Sequence, residues 1–376
     1  MDANPTAILQ ELLRARGLSV TRGDGGAVVV GNPLHGRINA VVITANGRYL
    51  TDYGYELGEQ GDELATATRL AFLLSAPTVT ATQPADAPPL RPIMASNSGN
   101  DLPPDSTAPG SSFDPNRATP ASTYAALRDS KDVLRAARDS ADTLASDIQH
   151  LREIVRENAS ALVRAVRHTT KIGYTRFADL GGGMPASSHD ATRLPDLAVV
   201  AAGHAPDRRW LLIDSDVVAI MHGRATIGRL PGVEVADPLD LRDTKRLMKA
   251  LHEQLGLDQP TVVILGAVLH FLDDAEADHL MWALYDVLPA DSLALVTHVT
   301  SDGLDEETVT RWAGLYEAHN HVPIHVRSKT EVTRLAGRFD LQPPGVVRTP
   351  DFLPDPEGPA PVEAPHFLMF MAKRPS

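Results

Sequence analysis

The segment Phe177-Ala178-Asp179-Leu180-Gly181-Gly182-Gly183-Met184-Pro185 constrains this chain more than any other. It reads as a short buried strand with an acid near its end, then a glycine bend, then the start of a helix. Glycine has no Cβ, so backbone N–H groups in such a bend can come close to a ligand. A second apolar strand, Trp210-Leu211-Leu212-Ile213, runs into Asp214. An acid at a strand tip suits the paired hydroxyls of a ribose. Together the two features imply a nucleoside-bearing cofactor across the carboxyl ends of a parallel sheet.

The flanking pattern points the same way. Strand-like runs at 176–180, 209–213, 233–236, 261–265 and 293–299 alternate with amphipathic stretches such as Asp243–Leu255 and Asp274–Leu288. That alternation predicts right-handed crossovers and a mostly parallel sheet, an α/β fold of Rossmann-like type. The apolar run His366–Lys373 predicts a buried terminal strand, and the proline-rich stretch 350–365 a surface excursion before it.

A chain of 376 residues exceeds one ordinary core and predicts two domains with a linker. Residues 1–76 read as a small α+β module. Pro5 suits a first helical position, Ile8, Leu9, Leu12 and Leu13 recur at helical spacing, and Gly17 stops the run. Three β-like runs follow, Asn46-Gly47 signals a hairpin into Tyr49-Leu50-Thr51, and a second helix spans about 62–74. His35 is placed in a turn. With no catalytic constellation, the module is assigned to interaction with a protein partner. Residues 77–117 are proline-rich and poor in aromatics, the composition of a flexible linker. Residues 118–376 form the larger domain, entered through Thr119-Pro120 as helix cap and first position. Leu134, Ala137, Ala141, Leu144, Ile148, Leu151 and Val155 then make a seam. Its alanines favour helices packed on the sheet domain over a coiled-coil dimer.

Composition removes several function classes. A formal charge of −13 argues against nucleic acid as the main partner. Without cysteine there is no thiolate metal site, disulfide or catalytic thiol. No apolar run is long enough to span a bilayer and no signal-peptide pattern opens the chain, so a cytoplasmic protein is expected.

Gly181 to Ala186 also satisfies a loose dinucleotide-binding pattern, so a nicotinamide or flavin cofactor must be weighed. Three features favour S-adenosylmethionine instead. Asp179 is placed to meet a cationic amino group. Pro185 removes an N–H that a pyrophosphate would use. The acidic cluster Asp237-Pro238-Leu239-Asp240 follows the third strand, where an adenine amino group needs an acceptor. Carboxylates would repel a pyrophosphate but attract a sulfonium amino acid.

From about Ala118 to Asp351 the chain resembles an actinobacterial S-adenosylmethionine-dependent methyltransferase family, formerly catalogued as a domain of unknown function. The matching residues are Arg156-Glu157-Asn158, Arg164-Ala165-Val166-Arg167, Phe177 through Pro185, Asp214-Ser215-Asp216, Asp240-Leu241-Arg242-Asp243 and Ala267-Val268-Leu269-His270-Phe271. The resemblance implies a class I methyltransferase fold, a seven-stranded sheet ending in one antiparallel strand. It also implies that Asp179, Gly181, Gly182 and Gly183 line the methionine end of the cofactor. Asp214 would accept from the ribose, Asp240 and Leu241 would flank the adenine, and Ala267 would lie beside the donor. The family usually carries Tyr-Asp-Tyr and then Gly-Gly-Lys-Asp-Asn in the segment over the cofactor. Here Tyr124-Ala125-Ala126 and Asp129-Ser130-Lys131-Asp132-Val133 stand in those places. Loss of the glycines predicts that the turn becomes helix and that turnover, more than binding, is affected.

His270, just past the fourth strand, is the best-placed general base for an unspecified methyl acceptor, its alternative being a cap on the following helix. His298, on the fifth strand, is a weaker candidate and reads as half-buried core. His319, His321 and His325 share no ligand spacing with a carboxylate, so a solvated loop is favoured over a metal site. Asp302, Asp305, Glu306 and Glu307 read as the first turn of a helix. Two functions follow: a methyltransferase acting on a small molecule or a protein side chain, or a cofactor-binding interaction protein that has lost catalysis.

Overall fold

The computed structural model describes residues 4–23, 27–33, 35–45, 47–51, 56–74, 114, 116–186, 194–356 and 360–376. The chain divides into two compact units, Met1–Phe113 and Asp114–Ser376. Most of the stretch 77–117, and Asn46 of the hairpin signal, lie outside the described residues.

In the first unit, α1 (Pro5–Ala15) starts where Asn4 accepts from the Thr6 N–H at 3.0 Å. Leu9 and Leu13 are buried, whereas Ile8 is exposed. Five strands follow in an antiparallel meander: β1 (Ser19–Arg22), β2 (Val28–Asn32), β3 (His35–Ala45), β4 (Arg48–Thr51) and β5 (Glu56–Glu59). His35 opens β3 instead of sitting in a turn. Only β5 was not expected, because its two glutamates and Gly58 give no apolar alternation. After it comes α2 (Glu63–Leu73). Tyr49 is fully buried and its phenol donates to Glu63 Oε1 at 3.0 Å, which ties β4 to α2.

The second unit opens with α3 (Pro120–Leu127), capped by Thr119, followed by α4 (Arg135–Asp147) and α5 (Leu151–Lys171). The seam from Leu134 to Val155 is therefore two helices, divided at His150, whose φ is +62°. Its residues Ala137, Ala141, Leu144, Ile148 and Val155 are buried within the unit.

The sheet comprises β6 (Arg176–Leu180), β7 (Arg209–Ile213), β8 (Val233–Val235), β9 (Thr261–Gly266), β10 (Leu293–His298), β11 (Asp340–Leu341), β12 (Val347–Arg348) and β13 (Leu368–Lys373). Their order is β11-β13-β10-β9-β6-β7-β8, with β12 also on β13. Strands β6 to β10 run parallel, and β13 is antiparallel to β10. The expected seven strands become eight because β11 and β12 share one edge of β13. Pro343 and Pro344 lie between them and supply no ladder N–H, so the edge cannot run continuously.

Crossovers are α6 (Leu197–His204), α7 (Val217–Ala225), α8 (Thr244–Ala250), α9 (Asp274–Val287), α10 (Glu306–Asn320) and α11 (Lys329–Arg334). The expected helix 243–255 is α8, capped by Asp243, followed by a wider turn over Leu251–Leu255. Asp305 caps α10 and Glu306 and Glu307 fill its first turn. One sheet face buries Leu180, Leu211, Ile213, Val263 and Val296 under α8 and α9. The other buries Phe177, Trp210, Leu212, Val262 and Ile264 under α5 and α6. Paired residues Phe177 and Trp210 stack at 5.4 Å. The expected excursion 350–365 is anchored at its start: Phe352 is fully buried, and Arg164 of α5 donates to the Thr349 and Phe352 carbonyls.

The strand order reverses direction between β6 and β9. Such a switch opens a crevice at the carboxyl ends of the two strands, which here are Gly181 and Ala267.

Candidate cofactor site

Gly181 and Gly183 take φ of +69° and +65°, and Gly181 N–H donates to the Ile213 carbonyl at 2.8 Å. A Cβ on Gly181 would lie 2.4 Å from Val268 Cγ2. One on Gly182 would lie 2.4 Å from Leu212 Cδ1 and 2.7 Å from Asp179 Cγ. The bend is thus pressed onto its neighbours, which only glycine permits.

Asp179 is buried beneath this bend, and no described group donates a hydrogen bond to its carboxyl. Burial drives it well above the usual carboxylate range, Asp196 and Asp214 push the same way, and only Arg128 opposes them. Asp214 receives the Gly183 N–H on Oδ2 at 2.8 Å and the Asp216 N–H on Oδ1 at 2.8 Å. It is pushed up to about 6, by burial first and then by Asp216. The carboxylate expected to meet a ribose therefore also braces the glycine bend.

Two acids at the site were not anticipated. Asp216 caps α7 and accepts from the Thr119 hydroxyl, joining the start of α3 to the end of β7. Asp196 caps α6 and also accepts from the Ala186 N–H at 3.2 Å. Burial raises both. Each precedes an apolar helix start, so the capping role was readable. Their convergence depends on the fold. Two buried carboxylates, Asp179 and Asp214, and two half-buried ones, Asp196 and Asp216, thus line one crevice, and Arg128 is the cation that opposes them at Asp179. Such a set favours a ligand with concentrated positive charge.

The Leu239 N–H donates to the Asp214 carbonyl at 2.9 Å, which brings the 237–241 loop beside β7. Asp240 is exposed and accepts from the Arg242 N–H at 2.9 Å, while the Leu241 side chain is in the core. Ala267 has φ of +56°, and its N–H reaches Thr297 Oγ1 at 2.9 Å. It shares a cluster with Ala125, Met184 and Phe367, so α3 and the last strand's approach close on it.

Above this, the Tyr124 hydroxyl accepts from Asn158 Nδ2 at 2.7 Å. The turn after α3 does not become helix, contrary to expectation. Asp129 itself takes the left-handed conformation, with φ of +61°, and Arg156 Nε holds its carboxylate at 2.9 Å. Aspartate tolerates this region better than most residues, and the ion pair fixes it there.

His270 does not cap the next helix. Asp273 does, in a reciprocal pair with Glu276. His270 is buried, with no partner for Nδ1 among the described residues. Burial, then His298, Arg327 and His325, hold its imidazole neutral. His298 is fully buried rather than half-buried. Its Nδ1 lies 2.6 Å from the Val299 carbonyl, and its Nε2 accepts from Arg327 at 2.9 Å. Arg327 also donates to the Leu269 and Leu272 carbonyls and to Asp274. No group of three or more His, Asp or Glu among the described residues could hold a metal ion. Nor is any described helix long and apolar enough to cross a membrane.

No curated protein matches this sequence. A candidate methyltransferase from Thermobifida fusca YX is 28% identical with a TM-score of 0.63, over 72% of this chain and 100% of that one. A DUF574 family protein from Streptomyces avermitilis is 25% identical with a TM-score of 0.62, over 69% of this chain and 98% of that one. A family described as S-adenosyl methyltransferase matches residues 106–372. The chain belongs to that S-adenosyl methyltransferase family, and its cofactor is S-adenosylmethionine.

Proposed function

We propose that the second unit is an active methyltransferase acting on a small molecule or a protein side chain. In this reading the methionine end of the cofactor lies against Asp179, Gly181, Gly182 and Gly183. Asp214 faces the ribose, Asp240 and the Leu241 backbone lie beside the adenine, and Ala267 lies beside the donor. The observation that carries the reading is the Asp179 carboxyl, buried under the glycine bend among other acids and with no hydrogen-bond donor among the described residues. A cationic amino acid moiety supplies what that carboxyl lacks.

Bound S-adenosylmethionine supplies a methyl carbon activated by its sulfonium, so transfer breaks the S–CH3 bond, leaves the electron pair on sulfur, and needs an acceptor lone pair. The protein's part is alignment, exclusion of water, and a sink for any acceptor proton. His270, neutral and with no partner for Nδ1 among the described residues, is the candidate sink.

The other reading, a cofactor-binding protein without catalysis, drew on the missing glycines of the 129–133 segment. Asp129 keeps a left-handed turn there, which favours the active enzyme. Residues 1–76 would then recruit a protein partner. Calorimetry with S-adenosylhomocysteine and with NAD tests the cofactor site: the first should bind and the second should not. Labelled methyl donor with cell extract tests turnover. Cofactor binding without any labelled product would favour the non-catalytic reading.

A further inference from the structure

We propose that the methyl acceptor is a flat aromatic small molecule, its ring against Phe271, Trp312 and Tyr316 and its hydroxyl or N–H at His270 Nδ1. The proposal rests on the methyltransferase reading above and names the substrate class of that site.

Helix α10 borders the carboxyl end of the sheet. Its Asn320 accepts from the Thr123 hydroxyl of α3 at 2.6 Å. One turn back from Asn320, Tyr316 stacks on Phe271, with ring centroids 6.0 Å apart and 30° between planes. Another turn back, on the same helix face, is Trp312. Phe271 meets His270 edge-on at 4.3 Å, and His270 lies 6.3 Å from Phe367. Phe367 in turn shares a cluster with Ala267, at the donor end. The rings therefore form one path from the methyl position to α10. Phe271, Trp312 and Tyr316 are half-buried, which leaves ring surface for a guest.

The polar atoms along this path point to the guest's chemistry. Trp312 Nε1 and His270 Nδ1 are both buried without a partner among the described residues. Buried polar groups normally find partners, and two left open beside aromatic faces suit a ring bearing a hydroxyl or a ring nitrogen. A phosphate or carboxylate is disfavoured. The cation at this place, Arg327, already serves Leu269, Leu272, Asp274 and His298. On transfer, the hydroxyl oxygen gains the methyl and its proton passes to His270 Nδ1 and on to water.

The test uses the full chain with S-adenosylhomocysteine present, titrated calorimetrically with naphthol and with its saturated counterpart decahydronaphthol. Naphthol should bind about tenfold more tightly, the scale of aromatic stacking. Trp312→Leu and Tyr316→Leu should each weaken naphthol by about tenfold, while Trp312→Phe and Tyr316→Phe keep most of the affinity. S-adenosylhomocysteine should bind all four variants as it binds the parent. Equal affinity for the two alcohols, no saturable naphthol binding, or leucine variants that bind naphthol normally would each overturn the proposal. If a leucine variant loses the cofactor product too, the comparison of the two alcohols on the unaltered protein decides. Failure of S-adenosylhomocysteine to bind the parent would instead overturn the cofactor assignment, and naphthol titration without it separates the two failures.

Discussion

The Gly183 N–H donates to Asp214 Oδ2 at 2.8 Å, so the acid after β7 fastens the bend after β6. The other oxygen is taken by the Asp216 N–H. An asparagine could accept only one of these donors and would turn its NH2 toward the other. Asp214→Asn should therefore weaken S-adenosylhomocysteine by roughly tenfold, while stability near neutral pH stays within about 2 kcal/mol of the parent because loss of a buried charge offsets the lost acceptor. Urea unfolding and calorimetry measure both, and unchanged affinity would show that the bend holds without this brace.

The elevated Asp214 predicts a pH dependence. Its folded value of about 6 exceeds the ordinary 3.8, so the native state holds the proton more tightly than the unfolded chain. Between these values stability falls as pH rises, and above pH 6 a penalty on the order of 3 kcal/mol is complete. A cationic ligand prefers the ionised acid, so affinity for S-adenosylmethionine should rise with pH through this range. Titrations from about pH 5 to about pH 8 should show it, and a flat profile would exclude the role.

Gly182→Ala places a methyl 2.4 Å from Leu212 Cδ1 and 2.7 Å from the Asp179 carboxyl. Relief requires moving a core leucine or the buried acid. The variant should lose about 1–3 kcal/mol and most cofactor binding. Thermal shift with and without S-adenosylhomocysteine reports both effects.

At Asp129 the backbone, rather than the charge, should dominate. Asp129→Gly keeps access to φ of +61° and loses only the half-exposed pairs with Arg152 and Arg156. It should lie close to the parent in stability. Asp129→Ala must hold the same backbone without either advantage and should cost about 1–2 kcal/mol. Equal melting temperatures for the two variants would contradict this account.

Arg327→Met removes the donor to the Leu269 and Leu272 carbonyls and to His298 Nε2. These acceptors are buried, whereas Asp274 is exposed and loses little. A loss of about 2–4 kcal/mol is expected from chemical denaturation.

The parallel strands were legible because each is an apolar run bounded by turn residues, as in Phe177–Leu180 and Trp210–Ile213. Asp179 and the glycine bend were legible because their neighbours along the chain define them. Asp196 and Asp216 were not, since the approach of Asp196 to Asp179 and of Asp216 to Thr119 depends on crossovers that no local pattern encodes. β5 was hidden by polar residues on a short strand. The turn at Asp129 was misread because glycine was taken as the sole route to a left-handed backbone. An acid tied down by Arg156 serves equally well.

Both margins of the large sheet are short. β8 has three residues with Glu234 exposed in the middle, and the opposite margin is split between two pairs of residues. Neither offers a run of free amides and carbonyls long enough to template a further strand. Self-association of this unit through strand addition is thereby discouraged, and contacts between copies would have to use side-chain surfaces.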